Sequence, residues 1–390
     1  MDVFGRRTPG APVDLTFTPE EQAFAVAVRS WLADHLELPP PFRSPEDEIE
    51  WGRRWQAKLA AARWVGIHWP VEYGGRGASP VHVALFNTEY GRARAPQPVN
   101  RVGINLAGPT LLAHGTDEQK RRWLGPILTA DELWCQLFSE PDAGSDLASL
   151  RTTALAVEDG WLLSGQKVWT SYAQFARWGI CLARTDPDAP KHAGLSYLVV
   201  DMHDPGVAVR PLVQMTGDAE FSQVFLDDVF VPNAHLVGGL NHGWAVANTT
   251  LAHERGTSFP FKEQVVHETY LQELYELAAE RGALDDPELA CALAQSFVEL
   301  RVLRLHNWRT LSHLAAGHEP GAESSWIKLT WSAMSQQLAE RALRLLGAES
   351  SLVGKWSRQW LWSGAASIAG GTSEVQRTII AERILGLPRG

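Results

Sequence analysis

The sequence predicts an α+β fold in three successive blocks: a helical N-terminal domain over residues 1–130, a middle antiparallel β domain over 131–240 and a C-terminal helical domain over 241–390. Two observations carry this reading. Apolar residues follow a helical period to about residue 130, change to a period of two, and return to the helical period after about 240. The strands are also gathered in the middle instead of alternating with helices, and no Gly-x-Gly-x-x-Gly lies between a strand and a helix, which excludes a doubly wound dinucleotide fold.

The first helix opens at Thr18-Pro19-Glu20-Glu21, where a capping hydroxyl precedes a proline at the first helical position and acidic residues in the first turn. It runs to about Leu36 and ends before Pro39-Pro40-Pro41. Residues 46–64 form a second helix, Trp69-Pro70 with Tyr73-Gly74-Gly75-Arg76-Gly77 forms a loop, and helical patterns resume to about 130. Thr153–Val157, the turn Glu158-Asp159-Gly160 and Trp161–Leu163 predict a hairpin, Asp-Gly supplying the positive φ angles of a tight turn. Further strands are expected at Val168–Thr170, Trp178–Arg184, Leu195–Asp201, Val207–Leu212 and Gln223–Val231. Helices over 243–280, 287–316, 323–346 and 374–385 follow, with loops at Gly317–Gly321 and Ala369–Gly371 and a kink expected at Pro260.

The 390 residues, 45% apolar and 21% charged, suit an ordinary globular protein of two or three domains. A net charge of −10 argues against broad capture of nucleic acid or anionic lipid. Cys135, Cys181 and Cys291 are odd in number and far apart, which suits neither a disulfide framework nor a zinc site and agrees with a reducing compartment. The opening MDVFGRRTPG has no signal-peptide core, and no stretch reaches the roughly 20 apolar residues that span a bilayer, so a cytoplasmic protein is expected. The 17 tryptophans read as core and interface filling. Ser325-Trp326-Ile327-Lys328 matches Ser-x-x-Lys by chance, without companion motifs, and His306, His313 and His318 lack a metal-binding helical spacing.

Two stretches can carry chemistry. Phe138-Ser139-Glu140-Pro141-Asp142-Ala143-Gly144-Ser145-Asp146 offers hydroxyls, a glycine and adjacent amides, groups that bind phosphate or a flavin edge and that also cap ordinary surface loops. Ser164-Gly165-Gln166-Lys167-Val168-Trp169-Thr170-Ser171 places a tryptophan beside two hydroxyls at a strand end, where it can stack on a planar ring whose edge the hydroxyls bond.

At these residues the chain resembles the acyl-CoA dehydrogenase family. Four motifs stand in the family's order: Trp69-Pro70-x-x-Tyr73-Gly74-Gly75; Ser139-Glu140-Pro141-x-Ala143-Gly144-Ser145-Asp146; Gly165-Gln166-Lys167-x-Trp169-x-Ser171; and Gly370-Gly371-Thr372-Ser373-Glu374-x-Gln376-Arg377. Smaller matches lie at Gly115-Thr116-Asp117-Glu118-Gln119-Lys120, Asp228-Val229-x-Val231-Pro232 and His253-Glu254-Arg255, so the resemblance spans essentially the whole chain. It implies a C-terminal four-helix domain, FAD held between subunits, an acyl-CoA thioester against the flavin, and an electron-transfer flavoprotein as electron acceptor. FAD contacts then fall on Phe138, Ser139, Ser145, Trp169, Thr170, Ser171, Thr372, Ser373 and Glu374, with Arg281, Leu346 and Gly347 as further contacts. Ser145, Arg255 and Gly371 fall on substrate, and the amide of Gly370 stands at the thioester oxygen. A homodimer or homotetramer is expected, with a heterotetramer as the other arrangement.

The chain departs from the family at three places. Ala348-Glu349-Ser350 follows Leu346-Gly347 where the family continues Leu-Gly-Gly, and Leu284-Asp285 replaces the Phe-Gly that follows the family's arginine. Many members also carry the catalytic glutamate immediately before Gly-Thr-Ser, where this chain has Gly370. A subset instead carries its base just before an arginine on the first long C-terminal helix, and Glu254-Arg255 stands there. Trp244, Ala247, Leu251 and Glu254 share one helical face, so the carboxylate belongs to an apolar stripe whose desolvation would raise its pKa toward that of a useful base. Spacing alone favours a salt bridge or a solvated edge of the stripe. The vacancy at 370 decides for Glu254 as the base. The alternatives are a noncatalytic subunit of a heteromeric dehydrogenase, a related flavin oxidase or monooxygenase, and an enzyme acting on a carrier-linked acyl group.

Overall fold

In the computed structural model, residues 16–254, 258–318 and 321–388 are described, and Arg255 and the opening MDVFGRRTPG lie outside them. The N-terminal helices are α1 (Pro19–His35), α2 (Pro45–Ala61), α3 (Pro80–Arg92), α4 (Gly108–His114) and α5 (Asp117–Thr129). The predicted cap of α1 forms a full capping box: Thr18 Oγ1 accepts from the Glu21 amide at 3.2 Å while Glu21 Oε2 accepts from the Thr18 amide at 2.8 Å. The loop after α2 wraps around Trp69, which is completely buried. Gly75 is required there by close approach, since a Cβ would lie 2.1 Å from the Trp69 carbonyl oxygen.

An eight-stranded sheet follows: β1 (Trp134–Leu137), β2 (Thr153–Val157), β3 (Gly160–Ser171), β4 (Trp178–Arg184), β5 (Leu195–Asp201), β6 (Val207–Leu212), β7 (Phe221–Pro232) and β8 (Leu236–Val237). Its order is β6-β7-β3-β2-β4-β5-β8, with β1 paired to β4. Most pairs are antiparallel as expected, but β1 and β2 both run parallel to β4. The β2–β3 hairpin lies between β1 and β4 in the chain and supplies the long crossover that parallel pairing needs. The hairpin turn puts Asp159 alone at positive φ (63°), and Gly160 is already the first residue of β3. The segments expected separately at 161–163 and 168–170 are one strand, because register shifts after Leu163 and Lys167 let it keep its pairing to β7 through the polar Ser-Gly-Gln stretch.

The C-terminal block holds α6 (Gly243–Glu254), α7 (Ser258–Glu280), α8 (Pro287–Ala315), α9 (Glu323–Leu346), α10 (Lys355–Ala366) and α11 (Ser373–Ile379). The single helix expected over 243–280 is therefore two, and Pro260 sits in the first turn of α7, where the missing amide costs no helical bond. Helix α10 was not among the predicted elements, and the segment 374–385 narrows to α11, continued by a wider π turn at Ile380–Ile384. Leu271, Leu274, Leu300, Leu303, Trp331, Leu338 and Ala366 make a shared core of α7 to α10. Lys328, from the Ser-x-x-Lys match, donates to the Ala366 carbonyl at 2.8 Å and so ties α9 to α10. A second core joins the two upstream blocks through Trp123, Trp134, Trp178, Tyr197, Val246 and Ala247.

Candidate active site

Two of the sequence motifs are fastened together by one buried ion pair. The Lys167 ammonium, from β3, is completely buried and donates to the Phe138 carbonyl at 3.1 Å, to Glu140 Oε1 at 2.9 Å and to the Leu182 carbonyl at 2.8 Å, which uses all three of its hydrogens. Glu140 in turn accepts from the amides of Arg151 at 2.6 Å and Thr152 at 2.9 Å. Burial opposes ionisation of Glu140, but Lys167 and these donors outweigh it and hold the carboxyl below its ordinary range. The Glu and Lys of these motifs are thus a clamp, and the Ser139 carbonyl adds a bond from the Val168 amide at 2.9 Å. The clamp presents the residues on either side. Trp169 sits in a bulge at positive φ (61°) with its ring 61% exposed, edge-on to Phe221. Beside it the Thr170 hydroxyl is buried with no hydrogen-bond partner among the described residues. The exposed Trp169 ring suits stacking on a flat ligand, while the Thr170 hydroxyl is completely buried behind it.

Helix α6 is held between the upstream blocks by hydroxyls. Thr250 Oγ1 lies 2.8 Å from Thr110 Oγ1 and 3.2 Å from the Tyr197 hydroxyl, and Thr249 Oγ1 lies 2.8 Å from His114 Nε2. Trp244, Ala247 and Leu251 pack into the core, so the predicted apolar stripe is the inward face of α6, and Glu254 is the helix's last residue. The side chain of Glu254 lies outside the described residues. Its neighbour His253 lines a cleft of about 400 Å³ together with Ser171, Gln136, Asn105, Leu106 and Lys262. The loop of the first motif also reaches this region. Crowding by protein pushes His68 down to about 4 although the residue is exposed at the surface, and the nearby His253 acts in the same direction. His253 is itself lowered by enclosure. Gln136, His68 and Asn105 escaped the sequence reading because their spacing marks them as nothing more than strand, loop and helix positions.

The remaining predicted residues fall elsewhere. Ser145 is exposed in the loop after β1, Phe138 is buried and Ser139 half-buried. Gly370 and Gly371 both have positive φ (66° and 96°) and are gripped by the buried Gln376, whose Nε2 donates to their carbonyls at 3.1 and 3.3 Å. Thr372 caps α11 by accepting from the Val375 amide at 3.3 Å, with Ser373 half-buried behind it, and exposed Glu374 pairs with Arg377 at 3.3 Å. None of these lines the cleft of Ser171 and His253. Arg281 reaches the turn after Leu346-Gly347 and pairs with Glu349 Oε2 at 2.6 Å, which holds the Glu349 carboxyl below its ordinary range. The departure from the family's Leu-Gly-Gly thus places an acid on that arginine.

A helical, β and helical chain with paired motif loops and a cleft between its blocks is the architecture of a flavoprotein oxidoreductase. This chain belongs to the acyl-CoA dehydrogenase family: residues 18–131 match its N-terminal domain, 135–229 its middle domain and 241–385 its C-terminal domain. It is an FAD-dependent enzyme of acyl-CoA dehydrogenation. It is 44% identical over 381 residues to acyl-CoA dehydrogenase IpdE1 of Mycobacterium tuberculosis, covering 94% of this chain and 98% of that one. Among solved structures it resembles the Tcur3481-Tcur3483 steroid ACAD, with a TM-score of 0.84 and 28% identity over 97% of this chain and all of that one. It also resembles the ChsE4-ChsE5 complex from Mycobacterium tuberculosis, with a TM-score of 0.82 and 32% identity over 97% of this chain and 100% of that one. Among the described residues no helix is long and apolar enough to cross a membrane.

Proposed function

We propose that the protein converts an acyl-CoA to a trans-2-enoyl-CoA, with Glu254 removing the α proton. The observation that supports this is the cleft itself, which joins Ser171, at the end of the clamped strand β3, to His253, the residue before Glu254. FAD, when bound, accepts the β hydrogen as hydride. Phe138, Ser139, Ser145, Trp169, Thr170 and Ser171 hold it from the β block, and Arg281, Leu346, Gly347, Thr372, Ser373 and Glu374 complete its binding across a subunit interface. The exposed Trp169 ring fits that assignment. The Gly370 amide polarises the thioester oxygen as negative charge develops there, which lowers the barrier to proton removal. The glycine pair, held by Gln376, keeps that amide in place. Ser145, Arg255 and Gly371 contact the CoA portion.

Electrons leave through an electron-transfer flavoprotein, and the three free cysteines, two of them buried, suit a cytoplasmic setting. A heteromeric assembly is the second reading, favoured by two relatives that were solved as pairs of different chains. The test is the visible spectrum of purified protein, followed anaerobically as straight-chain, branched and steroid-like acyl-CoAs are added to wild type and to Glu254→Gln. We expect one substrate class to bleach the wild-type flavin, and the variant to keep its flavin while bleaching at least about 100-fold more slowly. Equal bleaching by both forms removes Glu254 from the mechanism. A flavin-free protein that becomes active only with a second chain favours the heteromeric subunit.

A further inference from the structure

The cleft holds a set of charges that dehydrogenation does not use. Arg101 enters it from the segment between α3 and α4, Glu220 from the residue preceding β7, and Lys262 from the start of α7, so all three blocks of the chain contribute. Two of the three charges are matched. Arg101 Nη2 lies 3.4 Å from Glu220 Oε1, and its guanidinium faces the Tyr172 ring at 5.9 Å. Lys262 has no hydrogen-bond or ion-pair partner among the described residues, although it is half-buried in the cleft. Burial holds its ammonium below the usual lysine range, opposed by the neighbouring Glu263 and helped by Arg101. Asn105 and Gln136 line the same space and widen its capacity for polar contacts. A half-buried ammonium that finds no acceptor among the described residues gains from a ligand that supplies one. A plain hydrocarbon chain supplies none.

We propose that the acyl group taken into this cleft carries an acceptor oxygen away from its thioester, a carboxylate or a ketone, and that Lys262 donates to it. This rests on the thioester reading above and names the substrate class for the same cleft. Lys262 is then a specificity residue: it touches the far part of the substrate and takes no part in proton removal. The Arg101 charge is offset by Glu220, so Lys262 supplies the cleft's net positive charge among these three groups.

The test is calorimetric binding to the FAD-loaded protein, using 2-enoyl thioesters because they cannot be dehydrogenated again at the same bond. The probes are oct-2-enoyl-CoA, its ω-carboxylate and its 7-oxo derivative, measured with wild type, Lys262→Met and Lys262→Arg. Wild type is expected to bind one or both oxygenated probes about tenfold more tightly than the plain chain. In Lys262→Met that ratio falls to about one, and Lys262→Arg, which keeps a cation, retains a preference for the carboxylate. A preference confined to the carboxylate or to the ketone supports the proposal and assigns the oxygen. An equal or greater affinity for the plain chain, or a ratio that Lys262→Met leaves unchanged, overturns it. Failure of the two readings is separable. Bleaching by plain acyl-CoAs with no oxygen preference removes this inference alone; a Lys262-dependent preference in a protein whose flavin no acyl-CoA bleaches removes the dehydrogenation reading alone. A protein that binds no thioester overturns both.

Discussion

Gly370 stands where many acyl-CoA dehydrogenases carry a glutamate, and its φ of 66° shows what a side chain would face there: a left-handed backbone that only glycine adopts without cost. At Gly371 the constraint is tighter, since φ is 96° and a Cβ would lie 2.6 Å from Gln376 Nε2. Gly371→Ala is therefore expected to destabilise by about 1–3 kcal/mol in chemical denaturation and to push Gln376 off the two carbonyls it holds. The Lys167–Glu140 clamp is the other residue-scale dependence. Removing one partner leaves a buried charge unpaired, so Lys167→Met should cost about 3–5 kcal/mol and release flavin from the purified protein, read by its visible absorbance. The double change Lys167→Met with Glu140→Gln should recover part of that loss, because it leaves no lone charge. The motif spacing marked Glu140 and Lys167 as part of a family signature, but a clamp could not be read there. Their side chains meet only because β3 lies over the loop after β1.

Among the elements, α6 matters most, because it carries Glu254 and borrows its position from both upstream blocks. The three-hydroxyl contact of Thr250, Thr110 and Tyr197 is buried, so Thr250→Val leaves two hydroxyls without that partner and should cost about 1–3 kcal/mol by denaturant titration. The inward face of α6 was legible as a stripe of Trp244, Ala247 and Leu251, since helical periodicity is a local property. The end of α6 was not, because Pro260 is compatible with a kink inside one helix and equally with the first turn of the next. Helix α10 was hidden for a related reason. Its tryptophans at 356, 360 and 362 lie partly or largely open to solvent, which blurs the apolar period of a buried face.

Two expectations belong to the whole molecule. On α8, Val298, Val302 and Leu305 stand 54%, 40% and 63% exposed at helical spacing, an apolar stripe larger than isolated surface residues require. The protein should sediment as a multiple of its 43.0 kDa chain, and Val302→Asp with Leu305→Glu should shift it toward that mass if the stripe is the contact. Stability should also fall on acidification. His68 is lowered from 6.5 to about 4, so the unfolded chain binds the proton first and stability is lost as pH falls from about 6.5 to 4. Glu140 has the same sign at lower pH: its contribution is complete above its ordinary value near 4.5 and is lost as pH falls through its depressed value. His68→Asn should flatten the upper part of a plot of denaturation midpoint against pH and leave the lower part, which Glu140→Gln should remove.

Local pattern was enough for the order of blocks, the caps, most strands and helices, and the four motifs that name the family, because each depends on periodicity or on residues adjacent in the chain. The parallel pairing of β1 to β4, the bulge that exposes Trp169, the meeting of His68 with His253 and the place of Lys262 in the cleft depend on which distant segments come together. Those contacts follow from packing three blocks around shared cores, and no spacing within one block encodes them. The sequence by itself determined the family and the vacancy at 370; only the tertiary structure decided which side chains line the cleft and which serve to hold the others in place.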